Sequence, residues 1–231
     1  METVSLIVGV VVLSGVAAFL FWRYVWFFRS PPRTIPQAES IVSPADGTIV
    51  YVKAVLPHEE VLVIKQGLAA SVNDIVREDM EAPKILIGIF MSPFNVHYNR
   101  APIAGRVERI THYPAKTANV NMGPMHIRTL FNRSPFYENS FHIVENERTV
   151  TRIKGRFKGS EISCYVIQIA GKSVSGIDSY IPEDGDVGKG EIFGMIRIGS
   201  QVDVVVPQMS GMTVKVEPGD RVRAGESVLA E

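Results

Sequence analysis

Val202-Asp203-Val204-Val205-Val206 runs straight into Pro207-Gln208-Met209-Ser210-Gly211, β-branched side chains followed by a proline and a glycine. Branching at Cβ favours an extended, pleated chain, and proline has no N–H to give a ladder, so the stretch reads as a strand that ends in a turn. The pattern recurs at Ile49-Val50-Tyr51-Val52, Val61-Leu62-Val63-Ile64, Ile85 to Phe90 and Tyr165 to Ile169, with Gly, Pro or Asp between the runs. The fold is therefore expected to be mainly β, of the α+β class, with Val72 to Met80 as a short helix and Gln37 to Glu39 as one more helical turn. A chain of 231 residues can bury a sizeable core without disulfides. Its one cysteine, Cys164, lies in the apolar run Ser163-Cys164-Tyr165-Val166-Ile167; it can form neither an internal disulfide nor a multi-Cys zinc site and reads as packing. Lys and Arg number 24, as do Asp and Glu, so no net field holds nucleic acid and a general nucleic-acid binder is excluded.

The N-terminus breaks this pattern. From Val4 to Trp22 no residue is charged, and a helix of that length, at about 1.5 Å per residue, spans roughly 28 Å, close to the hydrocarbon thickness of a bilayer. Arg23, Arg29 and Arg33 follow, against only Glu2 on the other side, so the positive-inside rule puts the remainder in the cytoplasm, with Trp22, Tyr24 and Trp26 as an interfacial belt. A cleaved signal peptide fits less well: there is no basic n-region, and Phe19 to Phe28 is bulky where a small-x-small site belongs. Ser30-Pro31-Pro32-Arg33-Thr34-Ile35-Pro36 reads as a stiff, extended connector. The expected division is a membrane anchor with its linker over 1–36 and a β-rich domain over 37–231.

Val42-Ser43-Pro44-Ala45-Asp46-Gly47-Thr48-Ile49-Val50 is echoed by Val206-Pro207-Gln208-Met209-Ser210-Gly211-Met212-Thr213-Val214 in its proline, glycine and flanking valines, as if two ends of the domain paired about a pseudo-two-fold. The stretch Gly211 to Gly225 resembles half of a lipoyl/biotinyl-type sandwiched barrel, with Gly219 and Gly225 at tight turns between short strands.

Three segments offer chemistry. In Ser43-Pro44-Ala45-Asp46-Gly47 a carboxylate precedes a glycine at a turn; alone, Asp-Gly is simply a turn signal. Phe90-Met91-Ser92-Pro93-Phe94-Asn95-Val96-His97-Tyr98-Asn99-Arg100-Ala101-Pro102 carries an apolar strand into a loop with an imidazole and a guanidinium three positions apart, one suited to proton transfer near neutrality and the other to carboxylate or phosphate. Standing alone, they read first as a hydrogen-bonded structural histidine and a surface arginine. In Phe193-Gly194-Met195-Ile196-Arg197-Ile198-Gly199-Ser200-Gln201, a tight Gly-Ser turn lets the Ser200 hydroxyl attack the preceding peptide carbonyl if a base and an oxyanion stabiliser lie near. The other histidines, His58, His112, His126 and His142, lack metal-ligand spacing, so no metal site is expected.

In this order and spacing the segments resemble the phosphatidylserine decarboxylase family, and the build is similar to its short, membrane-anchored subfamily of phosphatidylserine or archaetidylserine decarboxylase proenzymes. The resemblance rests on Phe27-Phe28-Arg29-Ser30-Pro31-Pro32-Arg33, Ser43 to Gly47, Ser92 to Pro102 and Phe193 to Ser200, and covers nearly the whole chain. It implies a proenzyme that cuts itself between Gly199 and Ser200 into a large β chain (1–199) and a small α chain (200–231), with Ser200 becoming a covalent pyruvoyl group. That group replaces pyridoxal phosphate as the electron sink when CO2 leaves a serine-headed phospholipid, so neither a metal nor PLP is required. By the same resemblance Asp46, His97 and Ser200 form a triad for self-cleavage, His97 returns a proton after decarboxylation, and Arg100 stabilises the departing carboxylate or the lipid phosphate; Asn121 reads as an ordinary loop amide, with substrate contact as the alternative. The sequence departs from longer members, which carry Leu-Gly-Ser-Thr at the cut and a second histidine where Arg100 stands here; this leaves open which group is the processing base and which the proton donor.

An anchor gives such an enzyme a lipid substrate without a search through water, each buried CH2 being worth about 0.8 kcal/mol. Phe131 and Phe136 read as core by default, with headgroup contact as the alternative. A homo-oligomer is expected from the exposed edges of a mainly-β chain. Two rival functions are a membrane-anchored serine hydrolase using Ser200, His97 and Asp46, which lacks a G-x-S-x-G elbow, and a non-enzymatic lipoyl-like adaptor, for which Lys215 lies inside an expected strand rather than at a turn.

Overall fold

The structure, a computed structural model, describes residues 2–56, 59–77, 83–172, 176–197 and 200–231. Helix α1 (Glu2–Phe21) is apolar on every side, and a helix with no polar face has no stable place on the outside of a soluble core. The span Thr3–Trp26 has a mean hydropathy of 2.7, long and apolar enough to cross a bilayer. It ends in a wider π-helical turn (Trp22–Trp26), closed by the Phe27 N–H donating to the Trp22 carbonyl at 2.9 Å. From Arg29 to Pro36 the chain has no regular structure, as its prolines require.

The strands that follow are β1 (Ile41–Val42), β2 (Gly47–Val55), β3 (Glu60–Lys65), β4 (Leu68–Ser71), β5 (Lys84–Met91), β6 (Tyr98–Arg100), β7 (Gly105–Tyr113), β8 (Arg148–Phe157), β9 (Ser160–Ala170), β10 (Ile177–Ser179), β11 (Asp186–Val187), β12 (Ile192–Ile196), β13 (Ser200–Pro207), β14 (Arg221–Val222) and β15 (Val228–Ala230). Eight of them make an antiparallel sheet in the order β11-β7-β8-β9-β13-β5-β2-β14. The apolar runs form its middle because both faces are covered: Ile85, Ile87 and Ile89 of β5 and Val202, Val204 and Val206 of β13 enter one core, while Leu86, Phe90 and Val205 enter the other. The chain is mainly β with an N-terminal apolar helix, as expected. Its two ends meet: β1 pairs with β15, β14 pairs with the start of β2, and Val214 bridges Ala230.

Three local expectations change. Gln37 to Glu39 is not a helical turn; Ala38 and Glu39 form a bend. The short helix is α2 (Val72–Val76), opened by a capping box between Ser71 and Asp74 and closed by Arg77 at φ 58°; Glu78, Asp79 and Met80 lie outside the described residues. Lys215 is in no named strand, although its N–H donates to the Leu229 carbonyl at 2.9 Å, and its Nζ pairs with Glu231. Two helices, α3 (Gly123–Leu130) and α4 (His142–Glu145), interrupt the strands between β7 and β8. Cys164 is buried in the core, as its sequence context implies, and burial pushes its thiol up to about 12.

Candidate active site

β13 puts Ser200 at one end of the sheet, opposite Met91 at the end of β5 and Ala170 at the end of β9. Side chains alternate along a strand, so Ser200 shares a face with Val202 and Val204 and is fully buried. Its hydroxyl approaches Met91 Sδ at 3.4 Å, and Asn99 Nδ2 approaches the same sulfur at 3.9 Å. Gly199, the other half of the expected cleavage site, lies outside the described residues together with Ile198. Gly47 opens β2 beside this end; a Cβ there would stand 2.3 Å from the Phe90 carbonyl oxygen, so only glycine lets the Asp46 turn come so close.

His97, just before β6, is buried, and its ring stacks on Phe27 at 4.2 Å between centroids. Its Nδ1 lies 2.9 Å from the Asn95 carbonyl oxygen, which can only accept, so the proton sits on Nδ1 and Nε2 holds a lone pair. Among the described residues Nε2 is buried with no hydrogen-bond partner. Burial, opposed by the Asn95 bond and aided by Arg29, lowers the His97 pKa to about 4, so the imidazole is neutral at physiological pH.

Asp46 is held elsewhere. Both its oxygens accept from Arg33 Nη2 at 2.9 Å, and Oδ1 also accepts from the Ala224 N–H at 2.7 Å. Among the described residues no hydrogen bond joins Asp46 to His97 or His97 to Ser200. The three are brought to one end of the sheet through backbone contacts: the Arg100 N–H donates to the Pro44 carbonyl at 2.8 Å, and the Ile196 N–H donates to the His97 carbonyl at 3.3 Å. Arg100 donates Nη1 to the Gly190 carbonyl at 2.7 Å. Asn121 is exposed and accepts from the Gly123 N–H at 2.9 Å, a local turn at the start of α3.

Sequence reasoning missed a second polar cluster on the opposite face of β13. Gln201 Nε2 donates to Tyr51 Oη at 2.6 Å and to Asp203 Oδ1 at 2.7 Å, while Tyr51 Oη donates to Asp203 Oδ2 at 2.7 Å. Gln201 Oε1 accepts from His142 Nε2 at 2.9 Å. All four side chains are fully or nearly fully buried. Burial raises Asp203 to about 7 against the bonds from Gln201 and Tyr51, and burial lowers His142 to about 4. The one signal available in the sequence was a carboxylate and an amide two apart in a strand of valines. Arg148, also buried, donates to the carbonyls of Ile75, Ile143 and Asn146 and so fastens α2 and α4 to β8.

Beside Asp46 opens a cavity of about 790 Å³, lined among others by Phe94, His126, Leu130, Arg221 and Arg223. No three His, Cys, Asp or Glu side chains come together as a metal site among the described residues. The family model for phosphatidylserine decarboxylase matches residues 20–230. The chain belongs to the phosphatidylserine decarboxylase family. Among its relatives, the phosphatidylserine decarboxylase proenzyme of Nitrobacter winogradskyi is 33% identical over 97% of this chain and 81% of its own. That of Novosphingobium aromaticivorans is 36% identical over 93% and 74%, and that of Aromatoleum aromaticum 31% identical over 95% and 87%. Phosphatidylserine decarboxylases are carboxy-lyases, so family membership leaves the hydrolase and adaptor alternatives without support. The match begins near the end of the long apolar helix, so the residues it covers include the segment that follows the helix as well as Asp46, His97 and Ser200.

Proposed function

We propose that this protein cuts itself between Gly199 and Ser200 and then decarboxylates a serine-headed phospholipid, phosphatidylserine or its archaetidyl counterpart, to the ethanolamine phospholipid and CO2. The observation that carries the reading is a buried hydroxyl at Ser200, on the first residue of a central strand, at the same sheet end as a neutral imidazole whose lone pair has no partner among the described residues. Ser200 Oγ adds to the Gly199 carbonyl carbon as its proton passes to His97 Nε2, and the amide nitrogen leaves to give an ester. Loss of the Ser200 Cα proton then breaks the Cβ–O bond, freeing the Gly199 carboxylate; water enters and ammonia leaves, converting residue 200 to a pyruvoyl cap. When present, that cap supplies an electron-withdrawing carbonyl able to take the substrate amine and absorb the charge left by CO2. The chain's own part in turnover is to exclude water with its two cores and to move the proton at His97. Asp46 supports processing through its carboxylate.

The cavity beside Asp46 suits the substrate: about 790 Å³ falls in the usual range for small-molecule sites, Arg221 and Arg223 offer charge to a phosphate, and Phe94 and Leu130 offer apolar surface. Phe131 is 62% exposed and available to a lipid surface, whereas Phe136, at 3%, belongs to the core. On this reading the anchor spans the cell membrane with residues 37–231 as the decarboxylase domain in the cytoplasm, following the arginines that leave the span. A homo-oligomer is also proposed. The sheet ends on the two-residue strands β11 and β14, so a second copy would have to join through side chains more than through edge hydrogen bonds.

Intact mass spectrometry of the denatured protein tests the reading. Cleavage splits the 25.5 kDa chain into pieces of about 22 and 3.5 kDa, the smaller about 17 Da lighter than a peptide starting with Ser, because ammonia has left. Ser200→Ala should leave one uncut chain. An uncut wild-type chain recovered from intact membranes overturns the proposal.

A further inference from the structure

Three residues leaving the membrane each grip a part of the site. Phe27, fully buried, lies against the His97 ring at 4.2 Å. Arg29 Nη2 donates to the Phe94 carbonyl at 2.6 Å, one residue before the Asn95 whose carbonyl fixes the His97 tautomer. Arg33 donates to both oxygens of Asp46, and its Nη1 reaches Glu226 Oε2 at 3.3 Å. Beyond them the Thr34 N–H donates to Glu226 Oε1 at 3.0 Å, and Ile35 covers Gly190 and Gly225, where a Cβ would stand 2.4 Å and 2.9 Å from its Cδ1.

A tether needs none of this. The Arg33 side chain is 5% exposed and that of Asp46 13%, and withdrawing an arginine from water costs free energy that only well-made bonds return. Removing one partner of such a pair leaves the other charge poorly solvated, so the turn from Ser43 to Gly47 would shift. That turn abuts the strand of His97, since the Pro44 carbonyl accepts from the Arg100 N–H. We propose that the exit segment Phe27 to Arg33 is a working part of the active site, with Arg33 the positioning residue for Asp46 and Phe27 the cover that holds the His97 ring. This rests on the reading that Asp46 and His97 serve cleavage at Ser200.

The test follows cleavage of the full-length chain during cell-free synthesis into lipid nanodiscs. A misplacement of 1 Å can cost about a hundredfold in rate, so R33A should cut between about ten and a hundred times more slowly than wild type, with R33K intermediate because one ammonium replaces a two-pronged guanidinium. Methylguanidinium added to R33A should restore cutting, a rescue that a defect in folding would not show. F27A should slow cleavage and F27L retain it. Replacing residues 4–21 with an unrelated apolar helix should leave the rate within about twofold of wild type, because a span that only anchors takes part in no step that sets the rate. Cleavage of R33A at the wild-type rate overturns the inference, as does a loss that neither R33K nor methylguanidinium relieves. So does a replaced span that slows cutting as much as R33A. In each case a cut wild-type chain leaves the proposed function standing; only an uncut wild type removes both.

Discussion

Asp203 is a carboxylate placed where water cannot reach it, and its pKa of about 7 makes a stability statement. The native state holds a proton that the unfolded chain, near 3.8, has already released, so stability is fully present below about pH 4 and falls as pH rises towards 7. His142 works from the other side: its native value of about 4 lies below the ordinary 6.5, so its contribution is present above 6.5 and lost as pH falls through that window. The two oppose each other between about pH 4 and 6.5, so Asp203→Asn should remove the term that falls as pH rises from about 4 to 7 and leave the rise of His142 standing alone. Urea melts at a series of pH values check this, and a variant whose midpoint follows the same pH profile as wild type would show that Asp203 is not the titrating group. At this scale the sequence pointed to the candidate site residues but not to their partners. Ser200, His97 and Asp46 stand in recognisable local strings, whereas Arg33 reaches Asp46 through the path of the chain and Gln201 meets His142 across 59 positions.

Strands β2 and β5 approach closely at Tyr51 and Gly88, which face each other in the register. A Cβ on Gly88 would stand 2.3 Å from the Tyr51 ring, so the ring can lie over β5 and bring its hydroxyl to Asp203 only because residue 88 has no side chain. Gly88→Ala should force the ring aside and break its bonds to Asp203 and Gln201, at about 2–4 kcal/mol. Equilibrium unfolding measures the loss, and Tyr51→Leu in the same chain should recover part of it by giving the methyl room; equal losses with and without that second change would place the damage elsewhere. The main strands were legible because β-branched runs have few other homes. The helical turn at Gln37 to Glu39 was misread because a short polar stretch carries no period, and α3 and α4 were missed because their apolar faces are short.

In the whole molecule the proposed small chain is not an appendage. β13 lies between β9 and β5, β14 pairs with β2 and β15 pairs with β1, so all three strands after residue 199 are seated on strands from before it. A cut at Gly199–Ser200 removes one peptide bond and none of these ladders. The two pieces should therefore co-elute on size exclusion in mild detergent and separate only under denaturing conditions; release of the small piece without denaturant would contradict this topology. Side-chain type, alternation and the uncharged N-terminal run are local properties, and they sufficed for the sequence by itself to determine an apolar helix long enough to cross a membrane, a mainly β fold and a Gly-Ser step in the company of an imidazole and a carboxylate. Only the tertiary structure decided that the segment following the apolar helix packs against the candidate site, that Asp46 pairs with Arg33, and that an amide, a phenol, a carboxylate and an imidazole share one dry pocket. Those arrangements depend on which distant segments exclude water together, and burial, unlike strand propensity, is a property of the assembled chain.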